Sequence, residues 1–195
     1  MDFSVPIWIS AYIIIDMPRY VAFLRAINVG KRQVKMDRLR ALFEELGFSN
    51  VTTFINSGNV IFDSSSKAVS TLEKKIEVHL NTGLGYEVPS FVRAPEELLA
   101  ITEYKPFSEE DLNAAGNTLY VGFLTSRPAQ AAEVKLLSLA TEVNDFHISE
   151  REVYWLCRAA TFTDAAFSGA LLEKAIGMQT TLRNVNTIKR IGSKL

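Results

Sequence analysis

The chain has 195 residues, which suits one large domain or two small ones, and its 48% hydrophobic and 22% charged residues are typical of a soluble globular protein. The net charge of −1, with a pI near 6.2, argues against bulk affinity for nucleic acid, which usually shows as a basic domain. A single cysteine excludes an internal disulfide and favours a cytoplasmic location.

The residues that commonly carry metal or nucleophile chemistry are sparse. His79 and His147 lie far apart in the sequence, and neither has a potential metal ligand at a useful spacing. Cys157 follows Trp155 and Leu156 in a predicted strand, where a packed thiol is the ordinary interpretation. We therefore expect no metal site and no cofactor.

Residues 1–17 are predicted to form an extension outside the core. The apolar stretch 3–15 is shorter than the roughly 20 residues that a membrane helix needs, and Pro6 interrupts it. Asp2 stands where a signal peptide would carry Lys or Arg. Met17 is a credible alternative start. A short exposed anchor or a strand that binds a partner is the other interpretation, and no membrane association is expected.

Apolar spacing and turn residues predict the order βαββαβ for the first half of the chain. The predicted elements are a strand at 20–27, a helix at 36–46 ended by Gly47, strands at 51–56 and 59–63 joined at Ser57 and Gly58, a helix at 69–80 ending near Gly83, and a strand at 88–93.

A linker of about two short helices is predicted at 95–117, with Pro95 at a first helical position and Ser108 with Asp111 resembling a capping box. The order of elements then restarts. The second set is a strand at 119–124, a helix at 129–139, a hairpin of 146–148 with 153–156, a helix at 167–176, a strand at 180–183 and a short helix after Asn186.

The sequence itself repeats with the same order. YVAFL at 20–24 returns as YVGFL at 120–124, and LEKKI at 72–76 returns as LEKAI at 172–176. Val92 and Arg93 have a counterpart in Leu182 and Arg183. Such self-similarity predicts an internal duplication. The expected fold class is α+β, with two ferredoxin-like βαββαβ repeats and antiparallel sheets, at 18–94 and 118–195 around the linker 95–117.

In a βαββαβ unit, the end of the first strand and the hairpin between the second and third strands lie at one edge of the sheet. Backbone N–H groups next to glycines, a guanidinium and amide side chains would meet there. Together with a helix N-terminus, these groups favour the binding of an anion. In the first half the residues at this edge are Arg25, Asn28, Gly30, Ser57, Gly58 and Asn59.

The second half weakens its own copy of this cluster. The first strand is followed by TSRP at 125–128, and the hairpin reads SERE at 149–152, where glutamates would repel an anion. The scaffold is therefore expected to recur without the polar cluster.

Three motifs, FLRAINVG at 23–30, SGNVIF at 57–62 and TLRNVNT at 181–187, resemble the domain of unknown function 1697 family. The resemblance covers the chain from about Pro18 to its end. It implies an α+β fold of two ferredoxin-like repeats in a cytoplasmic bacterial protein without an established activity. Ala26 and Lys31 stand where the family usually has glycine, and Val185 where it has tryptophan.

The same resemblance implies a set of polar family positions, which overlaps the edge that the topology predicts. Mapped onto this chain, they are Arg25, Asn28, Gly30, Ser57, Gly58, Asn59, Arg183 and Asn184.

These residues also have a purely structural interpretation. The asparagine, serine and glycine residues of the two loops are typical of turns in any fold. Arg25 would then cap a carbonyl or pair with an acid such as Asp37, and Arg183 and Asn184 would tie down the C-terminus.

Three classes of function remain open. The first is binding of a small anionic or phosphorylated ligand, such as a nucleotide, at the predicted edge. The second is an enzyme that uses the same edge by electrostatic stabilisation; its catalytic residues are unknown, because no His, Cys or paired carboxylate lies beside the edge in sequence. The third is an RNA-binding module, for which the strand at 59–63 lacks the usual aromatic pattern.

Overall fold

The computed structural model describes residues 17–30, 32–56, 58–158 and 167–195. The extension predicted at 1–17 therefore lies outside the described residues except for Met17. The elements follow in the order β1 (Arg19–Leu24), α1 (Met36–Glu44), β2 (Ser49–Phe54), β3 (Asn59–Asp63), α2 (Val69–Leu84), β4 (Ser90–Arg93), α3 (Pro95–Glu103), α4 (Glu109–Asn113), β5 (Thr118–Phe123), α5 (Gln130–Leu137), β6 (Asn144–Ser149), β7 (Glu152–Cys157), α6 (Gly169–Ile176), β8 (Thr181–Asn184) and α7 (Val185–Gly192).

The protein is a mixed α+β structure with two four-stranded antiparallel sheets, ordered β2-β3-β1-β4 and β6-β7-β5-β8. The two sheets also share their register, as an internal duplication would produce. The matching pairs are Tyr20 with Phe62 and Tyr120 with Trp155, Phe23 with Asn59 and Phe123 with Glu152, and Val21 with Arg93 and Val121 with Arg183.

The strand β1 is buried on both of its faces. Tyr20, Ala22 and Leu24 pack into a core with α1 and α2, while Val21 and Phe23 point to the opposite face. Side chains alternate between the two faces of a strand, so each face of the sheet needs its own apolar cover. One cover is the pair of helices, and the other is the second half of the molecule.

The two halves meet through the faces of their sheets. The rings of Phe23 and Phe123, which are equivalent positions of the two halves, stack with centroids 4.0 Å apart and planes 10° from parallel. Aromatic pairs of this kind add to the burial of their apolar area. The surrounding cluster draws on both sheets and on α3 and α7, and it holds the halves together.

The helix α3 is the counterpart of the terminal helix α7. Each helix directly follows the last strand of its half and contributes two buried residues to the cluster between the halves, Leu98 and Ile101 from α3 and Ile188 and Ile191 from α7. The order βαββαβα therefore occurs in both halves, and residues 104–117 with α4 lie between them. The sequence had placed α3 in the linker.

The helix α2 extends past the glycine at which the sequence predicted its end. A Cβ on Gly83 would lie 2.5 Å from Cδ2 of Leu42, so this glycine permits close packing of α2 against α1. The helix ends instead at Gly85, which has φ 78° and donates its N–H to the carbonyl of Asn81. In the described part of the chain, no helix has the length and hydropathy to cross a membrane.

Two strands of the first half end earlier than predicted. The strand β1 ends at Leu24, before a loop in which Ala26 and Asn28 have positive φ. The strand β2 ends at Phe54, because Ile55 takes a φ of 53° that a strand does not allow.

Candidate functional site

The loop after β1 is fastened to the hairpin that follows β2, as the topology predicts. The side-chain N–H of Asn28 donates to the carbonyl of Asn56 at 3.0 Å. Its side-chain oxygen accepts from the backbone N–H of Val34 at 2.7 Å. Asn28 therefore satisfies turn groups on both sides, and its location joins the two segments of the predicted cluster.

The hairpin itself is fixed to the end of β1. The N–H of Leu24 donates to the carbonyl of Gly58 at 2.7 Å. Gly58 has φ 72°, and a Cβ on it would lie 2.9 Å from Cβ of Ile27, so only glycine fits without displacement. Asn59 is fully buried, and its side-chain N–H donates to the carbonyl of Phe54 at 3.0 Å.

Arg183 reaches this hairpin from the other half of the molecule. Its Nε donates to Oδ1 of Asn59 at 2.6 Å, and its Nη2 donates to the carbonyl of Leu24 at 2.9 Å. Its Nη1 donates to Thr181 and to the carbonyl of Leu182. Burial lowers the pKa of Arg183 to about 10. We call residues 24–30 and 54–59 together with Arg183 the first-hairpin edge.

Arg25 also contacts the other half, through a carboxylate. Its Nη2 lies 2.8 Å from Oε2 of Glu173, and its Nε lies 2.8 Å from Oε1. The same Oε1 accepts from the backbone N–H of Thr180 at 2.9 Å. The guanidinium thus pairs with an acid, although not with Asp37, and 37% of the side chain remains exposed.

The other predicted site residues are placed separately. Gly30 lies in the loop after β1 with φ 63° and open space where a Cβ would be. Asn184 caps α7, since its side-chain oxygen accepts from the N–H of Asn186 at 2.8 Å. It lines a cavity of about 480 Å³ together with Lys105 and Lys189. Ser57 lies outside the described residues.

Unusual backbone conformations concentrate at the first-hairpin edge. Among the described residues, five that are not glycine have positive φ, and Ala26, Asn28 and Ile55 of that set belong to this edge. Such conformations cost about 1–3 kcal/mol each and cluster at ligand sites and switch regions. Ile55 is β-branched, which makes a φ of 53° a clear outlier.

The equivalent edge of the second half is built around Arg93, which is fully buried. Its Nε donates to Oε1 of Glu152 at 2.7 Å, and its Nη2 donates to the carbonyl of Leu124 at 2.9 Å. The N–H of Leu124 donates in turn to the carbonyl of Arg151 at 2.9 Å. We call residues 124–127 and 149–152 together with Arg93 the second-hairpin edge.

Further carboxylates support the second-hairpin edge. Arg151 lies 2.5 Å from Glu97 and 3.5 Å from Glu73, and Glu73 lies 3.8 Å from Arg93. Burial raises the pKa of Glu73, against the opposing effects of the Val92 N–H and of both arginines. Buried charges of both signs therefore connect the halves on this side.

Sequence reasoning gave Arg93 and Glu73 no functional role, and it treated Glu152 only as a charge that would repel an anion. The signal was present, because the repeat aligns Arg93 with Arg183 near the ends of equivalent strands. The reach of each arginine into the opposite half depends on how the sheets pack.

Neither histidine joins the two edges: His79 pairs with Glu45 and His147 with Tyr104. Across the described ranges, no group of His, Cys, Asp and Glu is arranged to hold a metal ion.

Comparison with known proteins identifies the family. No curated protein matches the chain. The conserved bacterial protein SP0830 from Streptococcus pneumoniae has a similar fold, with a TM-score of 0.71 and 23% sequence identity over 92% of this chain and 98% of that chain. A family model described as protein of unknown function (DUF1697) matches residues 17–154, so the chain belongs to the DUF1697 family.

Proposed function

We propose that the protein binds a small anionic or phosphorylated ligand at the first-hairpin edge. The observation that carries the proposal is the concentration of positive-φ residues in the loop after β1 and in the hairpin, beside a partly exposed arginine. Backbone N–H groups in such loops form concave sites for anions, and an arginine supplies the opposite charge. Arg25, Asn28, Gly30, Ser57 and Gly58 are the proposed contact residues.

Asn59 and Arg183 support these residues from behind. The Arg183 guanidinium binds Asn59 and the carbonyl of Leu24, so it fixes the hairpin relative to the end of β1. A site holds its geometry best when the groups behind it are themselves hydrogen-bonded. Asn184 contributes by starting α7, whose later residues lie beside the hairpin.

In this proposal, the ligand replaces Glu173 as the partner of Arg25. A phosphate or carboxylate can accept the same two parallel N–H bonds that Glu173 accepts. Partly exposed ion pairs contribute about 0–1 kcal/mol, so an incoming anion has little to displace. Glu173 also accepts a hydrogen bond from the Thr180 N–H, so its carboxylate has a second partner besides Arg25.

The test is thermal and urea unfolding with inorganic phosphate, pyrophosphate and a set of phosphorylated metabolites. A ligand at a hundredfold over its Kd should raise the free energy of unfolding by about 2.7 kcal/mol. Arg25→Ala should abolish this gain and leave the protein folded without ligand. Arg127→Ala is the matched control, because Arg127 lies in the equivalent loop of the second half and is exposed there.

Two results would overturn the proposal. An equal gain in wild type and Arg25→Ala would place the anion elsewhere. Unfolding of Arg25→Ala without any ligand would show that the pair with Glu173 is a tie between the halves and that the arginine is not available to a ligand.

We further infer that each half is a ferredoxin-like repeat from one duplication, at 18–94 and 118–195, in a cytoplasmic protein. The element order βαββαβ, the matching strand orders and the shared register support the repeats. The single cysteine, which is free and buried, supports the location.

A further inference from the structure

Two cations lie beside an aromatic ring at the first-hairpin edge. Phe54 ends β2 directly opposite Asn59 in the register. The guanidinium carbon of Arg190 lies 5.2 Å from the centroid of the Phe54 ring, and Nζ of Lys194 lies 5.5 Å from it. The two cations are four residues apart, so they project from the same side of the C-terminal part of the chain.

Neither cation is neutralised by a carboxylate in the part of the chain that the structure describes. Arg25, by contrast, pairs with Glu173. Arg190 and Lys194 are both exposed, and the neighbouring Ile55 is 48% exposed. A cation over an aromatic face contributes about 0.5–1 kcal/mol at an exposed site, which favours this position of the guanidinium beside the ring.

The second half lacks this arrangement. The register places Ser149 opposite Glu152, where the first half has Phe54 opposite Asn59. The residues of α3 and its C-terminal end that correspond to Arg190 and Lys194 are Ala100 and Tyr104, and together with Ser149 they line one cavity. The arrangement of Phe54 with Arg190 and Lys194 therefore has no counterpart at the equivalent positions of the second half.

We infer that the anionic ligand is a nucleotide, whose base stacks on the Arg190 guanidinium above Phe54 while its phosphate lies at the loop of Arg25. This inference rests on the proposed function. Nucleobases stack on arginine planes and on aromatic rings, and both are available at the end of β2. Lys194 lies beside the base and adds positive charge. A sugar phosphate would use only the phosphate part of the site.

The experiment compares adenosine monophosphate with ribose 5-phosphate by isothermal titration calorimetry. Wild type should bind the nucleotide about 5- to 150-fold more tightly, the effect of stacking one base. Arg190→Ala should remove this preference and leave the affinity for ribose 5-phosphate unchanged. Lys189→Ala is the control: it removes a cation from the adjacent position of α7, which lines the cavity of about 480 Å³, and should change neither affinity.

The outcomes separate the two proposals. Equal affinities for both ligands, with no effect of Arg190→Ala, would overturn the nucleotide and leave anion binding in place. An equal loss of both affinities in Arg190→Ala would also overturn it, since Arg190 would then act as a cation for phosphate. Binding of neither ligand would overturn the nucleotide, while the measurements with phosphate and pyrophosphate decide anion binding separately. Arg25→Ala should weaken both ligands if the phosphate lies where we infer.

Discussion

The first-hairpin and second-hairpin edges share the same arrangement of arginine contacts but differ in the charge of the hairpin residue that binds the arginine. In each, an arginine of the last strand reaches across to a carbonyl at the end of the other half's first strand, Leu24 for Arg183 and Leu124 for Arg93. The hairpin residue that also binds the arginine is the neutral Asn59 in one edge and the carboxylate Glu152 in the other.

The difference shows how two similar sheet units can carry different charges at equivalent edges. The arginine needs a hydrogen-bond acceptor in both halves, and an amide or a carboxylate serves. With carboxylates, as at Glu152 and Glu73, the edge is occupied by the chain's own anions. At the first-hairpin edge, Asn59 takes the place of Glu152, and the carboxylate of Glu173 forms a partly exposed pair with Arg25 that we propose an external anion replaces.

The largest expected effect comes from removing the cation of the second-hairpin edge. Arg93→Met should lower the free energy of unfolding by about 3–5 kcal/mol, because it leaves the buried Glu152 and Glu73 without their shared partner. Urea unfolding at neutral pH measures this. Glu152→Gln is the matched variant, because its side-chain oxygen still accepts a hydrogen bond from Arg93. The free energy of unfolding should therefore fall by less than in Arg93→Met. A loss below about 1 kcal/mol for Arg93→Met would mean that burial of the pair contributes little.

The next effect separates two roles of glycine at the first-hairpin edge. Gly30→Ala should cost about 1–2 kcal/mol, the cost of a left-handed conformation in an L-residue with open space around it. Gly58→Ala should cost at least about 1 kcal/mol more, because its Cβ would also overlap Ile27. Denaturant unfolding of the two variants side by side gives the difference. Equal costs would show that the hairpin shifts away from Ile27 freely.

The smallest effect is a pH dependence that belongs to the second-hairpin edge. Burial raises the pKa of Glu73 above its ordinary value of 4.5, so the folded protein binds this proton more tightly than the unfolded chain does. The resulting stabilisation is fully present below the unfolded pKa and is lost as the pH rises through the folded pKa. Glu73→Gln cannot titrate, so its stability relative to wild type should increase over that interval. Parallel curves of unfolding free energy against pH for the two proteins would contradict the raised pKa.

Much of the fold follows from local sequence patterns. The repeated segments fall on equivalent elements, with YVAFL on β1, YVGFL on β5, LEKKI on α2 and LEKAI on α6. Each pair is similar because the strand and the helix form the same apolar contacts in both halves. The alternation of apolar residues in a strand, and their helical spacing in a helix, directly indicate which face is buried. Strand ends were less accurate, since the turn at Ile55 depends on a backbone conformation that its β-branched side chain does not favour.

The contacts between the halves were beyond reach of the sequence. The pairing of Arg25 with Glu173 and of Arg183 with Asn59 joins residues more than a hundred positions apart. Their partners depend on the angle at which the sheets stack over Phe23 and Phe123. Sequence spacing placed the loop and the hairpin at one edge correctly, but it assigned Arg183 no partner in the opposite half.

The central claim is that the first-hairpin edge binds an anion and the second does not. Titration of the ¹⁵N-labelled protein with pyrophosphate, followed by amide chemical shifts, tests it most directly, because both edges are observed in one sample. We expect saturable shifts at the amides of residues 25–30 and 55–59, with those of 124–127 and 149–152 unchanged. Shifts at both edges in parallel, or at the second edge alone, would contradict the account.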